Sequence, residues 1–220
     1  MRKLVLLLTL FGFAISLHAD PVTVHFASFN NSGQWQNGYP YYLFVQGMGF
    51  LSVMCDDYVH AGSTDYAWQA NETNLGNQDL SLTRFGDMSG ALTLYDEAGW
   101  LLLQTKGQGI NQWKDMTYAV WNIFDSAAPC DSGCEFWLAA AENEAMKGFQ
   151  GIDFHQVGVL TPAYDQHGTG DPNGPQEFLY LTNGNPPNVI TPSGGTVPEP
   201  GSLLLFATGL AAAWRGRRFL

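Results

Sequence analysis

Positive charge is what this chain has least of: nine Lys and Arg stand against 20 Asp and Glu in 220 residues, for a net charge of −11. Between residues 20 and 200 the basic side chains reduce to Arg84, Lys106, Lys114 and Lys147. A surface with that field repels polyanions, which argues against nucleic acid as a partner. Cysteine is scarce as well, with Cys55, Cys130 and Cys134 the full complement. His25, His60, His155 and His167 are scattered, without the i, i+4 spacing of a helical metal pair. No nucleophile elbow, phosphate loop or dinucleotide fingerprint is present, so the sequence names no catalytic residue, cofactor or metal. Heptads and tandem repeats are also missing.

What is there begins at the ends. Met1-Arg2-Lys3 is basic, Leu4 to Leu17 is almost unbroken apolar sequence, and the small Ala19 follows at a plausible cleavage point. That order reads as a cleavable secretory signal. A buried core helix has the same composition, but the terminal position and basic flank favour the signal, and the mature chain is expected to start near Asp20. At the other end Val197-Pro198-Glu199-Pro200 precedes an apolar run, Leu203 to Trp214, and then Arg215, Arg217 and Arg218. The run is about 12 residues, roughly 18 Å as a helix against a hydrocarbon core of roughly 30 Å, which makes a short anchor.

Motif, short hydrophobic helix and Arg cluster, in that order, resemble the PEP-CTERM sorting domain. The resemblance implies a tail recognised and cut near Pro198, Glu199 and Pro200 by an exosortase in the inner membrane of a Gram-negative bacterium. Arg215, Arg217 and Arg218 resist translocation, so the tail stalls in the bilayer with Glu199 on the outer side. The implied partners are exosortase, the export machinery and, transiently, the inner membrane, with exopolysaccharide as a further candidate once the protein is outside. A permanent short membrane anchor is the competing reading of the same tail.

The body alternates, then changes period. Val22 to Phe29, Tyr41 to Gln46, Phe50 to Cys55 and Tyr66 to Ala70 have the pattern of strands, and Gly47-Met48-Gly49 suits a tight hairpin. From Ala91 the apolar positions Leu94, Tyr95, Ala98, Leu101 and Leu102 follow helical spacing. A second helix is expected from an Asn111 cap, with Trp113, Met116, Val120 and Phe124 inward. A third is expected from a Ser132/Glu135 capping box to Gly148. Phe154 to Leu160 and Glu177 to Thr182 read as two more strands. Strands that return after helices predict an α+β fold, an antiparallel sheet or barrel with an inserted helical subdomain. The expected organisation is a signal peptide at 1–19, the α+β domain at 20–182, a Pro/Gly-rich spacer at 183–196 and the sorting tail at 197–220.

Cys55 ends a predicted strand, Met116-Thr117-Tyr118-Ala119-Val120-Trp121 lies on a predicted helix, and Glu97-Ala98-Gly99-Trp100 precedes it. This set resembles a thioester-type domain of bacterial surface proteins, in which a strand Cys is joined to a helix Gln just before an Ala-apolar-Trp element. Cys55 and Ala119-Val120-Trp121 match, but the Gln position holds Thr117, which has no carboxamide carbon to acylate a thiol. The resemblance therefore implies a fold and at most a vestigial thioester at Cys55 and Thr117; the other reading of Cys55 is a buried structural thiol.

Cys130 and Cys134 suit a local disulfide in an oxidising compartment, with half a metal site as the other reading. Asp165, Asp171, Asn173 and Glu177 are read as a solvated acidic loop, since they miss the EF-hand spacing of a calcium site. Asp56 and Asp57 alternate across a strand and make a poor shared-proton dyad. Trp35, Tyr39, Tyr41, Tyr42 and Trp68 read either as a sugar-stacking surface or as core. These readings converge on a non-enzymatic exported envelope or matrix protein with a structural or adhesive role. A covalent or carbohydrate-binding adhesin is the alternative. A secreted polysaccharide-acting enzyme is another, with Asp56, Asp57 and Asp96 as its candidates, and these carboxylates are expected to lie dispersed.

Overall fold

A computed structural model describes residues 20–29, 40–60, 67–163 and 175–183, all within one compact unit. The expected signal segment, the expected spacer beyond Asn183 and the sorting tail, with Pro198, Glu199, Pro200, Arg215, Arg217 and Arg218, lie outside the described residues, as do Trp35, Tyr39, Asp165, Asp171 and Asn173.

The described residues form six strands and three α-helices. β1 (Val22–Phe29), β2 (Tyr41–Val45) and β3 (Gly49–Cys55) are followed by β4 (Trp68–Asn74), β5 (Val157–Pro162) and β6 (Phe178–Leu181). All pairs are antiparallel, and the order β1-β2-β3-β6-β5-β4 closes on itself as a barrel. Closure leaves no edge strand to template aggregation. The β2–β3 hairpin turns through Gly47 and Gly49 at φ +88° and +85°, a left-handed region that side chains disfavour.

Alternation fills the barrel. Tyr41, Leu43 and Val45 of β2 point inward with Tyr42 and Phe44 between them half-buried. Val24, Val53, Cys55, Trp68, Ala70, Leu160, Phe178 and Tyr180 complete the interior cluster. Gly158 sits where any Cβ would fall inside the Tyr180 ring, so the close approach of β5 to β6 requires glycine there.

Between β4 and β5 the chain inserts α1 (Ala91–Gln104), α2 (Ile110–Phe124) and α3 (Ser132–Met146). Their apolar faces pack on the outer side of β3, β5 and β6: Met54, Val157, Val159 and Leu179 join Tyr95, Ala98, Leu101, Leu102, Met116 and Val120 in a second core. That is why the end of β3 is buried on both faces, Ser52 to Cys55 without interruption. The two cores meet at α2, whose Trp121 belongs to the barrel interior while Tyr118 packs against both.

Some boundaries differ from the sequence expectation. β4 continues through polar Asn71 to Asn74, because its pairing with β5 runs from Ala70↔Pro162 to Asn74↔Gly158 and supplies the hydrogen bonds that side-chain polarity does not reveal. Phe154–Gln156 is a short 3-10 turn rather than strand, capped by Asp153, which accepts from the His155 N–H. α2 begins at Ile110 from an extended Gly109. α3 is capped by Asp131 instead of a Ser132/Glu135 box: its carboxylate accepts from the Gly133 and Cys134 N–H groups at 3.0 and 3.1 Å.

Candidate functional site

β3 ends at Cys55, with Asp56 and Asp57 following directly, and the extended backbone sends the Cys55 and Asp56 side chains to opposite faces. Cys55 goes inward. It is fully buried, its thiol donates to the Asp57 carbonyl at 3.2 Å and its sulfur accepts the Asp57 N–H at 3.3 Å. Burial pushes the thiol well above its ordinary range, and Asp57 and Asp56 add to that. The Asp57 amide and the Trp121 indole pull the other way, although the indole N–H is not aligned on the sulfur as a hydrogen bond. Cys55 is thus held as a neutral thiol, a poor nucleophile. Thr117 is also fully buried, and its hydroxyl is committed within α2, donating to the Trp113 carbonyl at 2.9 Å.

Asp56 goes outward, into the seam between barrel and helices. There it meets Glu177, just ahead of β6, and both are completely buried. Glu177 is expected from sequence in a solvated acidic loop; the structure corrects this, because three donors from three parts of the chain compensate its burial. The Tyr95 hydroxyl of α1 donates to its Oε1 at 2.5 Å, the Arg84 N–H donates to Oε2 at 2.8 Å, and the Thr161 hydroxyl of β5 donates to Oε2. Tyr95 Oη in turn accepts the Phe85 N–H at 3.1 Å. Burial raises the Glu177 carboxyl while Thr161, Tyr95, Asp56 and Arg84 hold it down, in that order.

Asp57 anchors the adjacent polar group. Its carboxylate accepts the His60 N–H at 3.2 Å, lies 2.8 Å from His60 Nδ1 and pairs with Arg84 Nη1 at 3.1 Å. Arg84 Nη2 donates to the Pro175 carbonyl at 2.9 Å. Gln176, buried beside them, donates its carboxamide N–H to the Asp57 carbonyl at 3.0 Å and to the His60 carbonyl. Arg84, the lone arginine between the two termini, thus ties the β4–α1 connection to the ends of β3 and β6.

Asp56 and Asp57 are therefore not dispersed; the structure gathers them around Glu177 and Arg84, with their carboxyls inside the protein rather than along a cleft. Asp96 lies apart on α1, where burial raises its carboxyl to about 6. Cys130 and Cys134 are joined as a disulfide across the first turn of α3, with Cα atoms 5.2 Å apart. Of the aromatics named for sugar stacking, Tyr41 and Trp68 are 8% and 2% exposed and belong to the barrel interior, and Tyr42 is half-buried. Sequence reasoning missed Tyr58, an aromatic that does reach the surface near Cys55. Tyr58, 43% exposed, leans on Trp121 at 5.4 Å, Trp121 stacks on Tyr118 at 5.2 Å, and Lys114 lies 5.0 Å over Tyr118.

Among the described residues no group of His, Cys, Asp and Glu could hold a metal ion, and no helix is long and apolar enough to cross a membrane. No curated protein matches the chain. Among solved structures it is similar to the N-terminal domain of the Streptococcus pyogenes pilus tip adhesin Cpa, at 12% identity and a TM-score of 0.41, over 76% of this chain and 95% of that one. Residues 196–218 match the family model of the PEP-CTERM protein-sorting motif. With Pro198, Glu199 and Pro200, the apolar run and the three terminal arginines all inside that match, the chain carries a PEP-CTERM sorting motif and is an exported protein of the kind that exosortase sorts.

Proposed function

We propose that the protein is a surface or matrix component with a structural or adhesive, non-enzymatic role. Its barrel-and-helix body folds outside the inner membrane while the PEP-CTERM tail holds it until exosortase cuts near Pro198 to Pro200. The observation that carries this reading is the sorting motif at residues 196–218. The burial of Asp56, Asp57, Glu177 and Cys55 supports a structural use of the groups that sequence nominated for chemistry. In this reading 1–19 is the signal, 183–196 a spacer that lets the folded domain stand clear of the bilayer, and Arg215, Arg217 and Arg218 the cytosolic stop. Intact-mass measurement on protein from exosortase-producing cells tests it. The expected chain begins near Asp20 and ends short of the arginine cluster; a chain ending in Leu220 in those cells overturns it.

One observation favours a second reading, a covalent adhesin. The Cys55 thiol and the Gln176 carboxamide both donate to the Asp57 carbonyl, so a carboxamide lies near the thiol although the helix position holds Thr117. Attack of the Cys55 sulfur on the Gln176 amide carbon would form a thioester and release ammonia, the thiol proton leaving with the nitrogen. A mature mass lower by one ammonia, raised by one water on hydrolysis as the Gln176 carboxamide becomes a carboxylic acid, supports it. A stoichiometric free thiol in the unfolded native protein removes it.

A further inference from the structure

We propose that Asp56 and Glu177 hold one proton between them and that this proton is a latch fastening the barrel to α1, so that its removal at alkaline pH loosens the seam. The geometry comes first. Glu177 accepts from Tyr95, Thr161 and the Arg84 N–H, an arrangement that suits a carboxylate ion. Among the described residues neither carboxyl oxygen of Asp56 meets a donor at hydrogen-bond geometry, its own backbone N–H acting on it only from nearby, although the residue is completely buried beside Glu177. Two acceptor groups can bond only if one of them carries a hydrogen. An ionised, donor-less carboxylate in this seam would cost far more than any neighbouring hydrogen bond returns, so the proton belongs on Asp56, which donates to Glu177.

The charges around the pair point the same way. From the end of β3 comes Asp57, already ion-paired with Arg84 and touched by His60. From the β4–α1 connection comes Arg84, whose guanidinium is spent on Asp57 and the Pro175 carbonyl. α1 contributes the neutral Tyr95 hydroxyl, β5 the Thr161 hydroxyl, and on the barrel side Cys55 remains a neutral thiol. One negative charge on Glu177 is met by dipoles; no described cation is left to meet a second. Consistent with this, burial and then Glu177 itself push the Asp56 carboxyl well above the usual carboxylate range.

The sign of the pH effect follows. A carboxyl raised in the folded state keeps its proton where the unfolded chain has released it, so its contribution is complete below the ordinary carboxylate range and is lost as pH climbs toward the folded value. While the folded chain holds that one extra proton, the folding equilibrium constant falls about tenfold per pH unit. Asp96, raised to about 6, adds a slope of the same sign that ends near neutrality, and the buried Cys55 thiol adds another as pH nears the ordinary thiol range of roughly 8.5, so the latch is read between the two, from about pH 7 to 8.

The test compares the whole exported chain with its Asp56→Asn variant, which offers Glu177 a permanent N–H donor. Denaturant midpoints across that alkaline window should fall for the parent and stay nearly level for D56N; parallel slopes would overturn the latch. Infrared spectroscopy of the parent at about pH 8 should show a protonated-carboxyl C=O band that shifts in D2O and vanishes on further alkalinisation. Its absence would overturn the proposal even if D56N failed to fold.

Discussion

Cys55 and Asp56 are chain neighbours, equally buried, and face interiors of opposite character. On the Cys55 side, Leu43, Val53, Trp68, Leu160 and Phe178 form an apolar plug in which the thiol is one small group among many. On the Asp56 side the barrel meets α1 through Glu177, Tyr95, Thr161 and Arg84, a polar knot inside an otherwise apolar seam. The difference teaches that a strand covered on both faces can satisfy burial in two ways. An apolar interior degrades gradually as atoms are removed, whereas a knot of mutually dependent polar groups fails when one partner goes.

The largest effect should come from the knot. Glu177→Ala leaves the Tyr95 and Thr161 hydroxyls, the Arg84 N–H and the Asp56 carboxyl without their common partner, and should cost about 4 kcal/mol in urea unfolding. A loss under about 1 kcal/mol would mean the knot does not hold the seam. In the barrel, Leu43→Ala, which opens a cavity in the fully buried interior, should cost about 3 kcal/mol by the same measurement. The reverse ranking of these two would break the comparison. Replacing Cys130 and Cys134 by Ser opens a five-residue loop at the start of α3, where Cys134 is a buried member of the helix-side core, and should cost about 2 kcal/mol, with reduction of the parent costing about the same. Smallest should be Cys55→Ala, at about 1 kcal/mol, because its neighbours are apolar and its hydrogen bonds are to the local backbone. A much larger loss would indicate that Cys55 does more than fill space.

Much of the fold is legible in local pattern. The alternation of Tyr41 to Val45 and the 3.6-residue spacing through Tyr95, Ala98, Leu101 and Leu102 report which faces are covered. Patterns fail where a partner overrides them. Asn71 to Asn74 is polar and still a strand, because β5 supplies its hydrogen bonds. Tyr41 and Trp68 read as a binding surface or as core until barrel closure turns them inward.

The candidate site was less legible than the fold. Cys55 and Thr117 could be singled out because cysteine is rare and Ala119-Val120-Trp121 is a recognisable element, but no local feature marks Glu177 as buried. Its one sequence signal is its place at the head of Phe178-Leu179-Tyr180-Leu181, a strand too apolar to face water on both sides. Arg84, in a polar connection, offers no signal beyond its rarity.

The sequence by itself determined the sorting motif at residues 196–218, because a Pro-Glu-Pro element, a short apolar run and an arginine cluster act through local charge and hydrophobicity that need no fold. It also determined the periodicities of the strands and helices. Tertiary structure alone decided that Asp56 meets Glu177 and that Arg84 serves both Glu177 and Asp57. Those meetings depend on the register of β3 on β6 and on α1 returning to cover them, and a register is a property of paired strands, which neither segment carries alone.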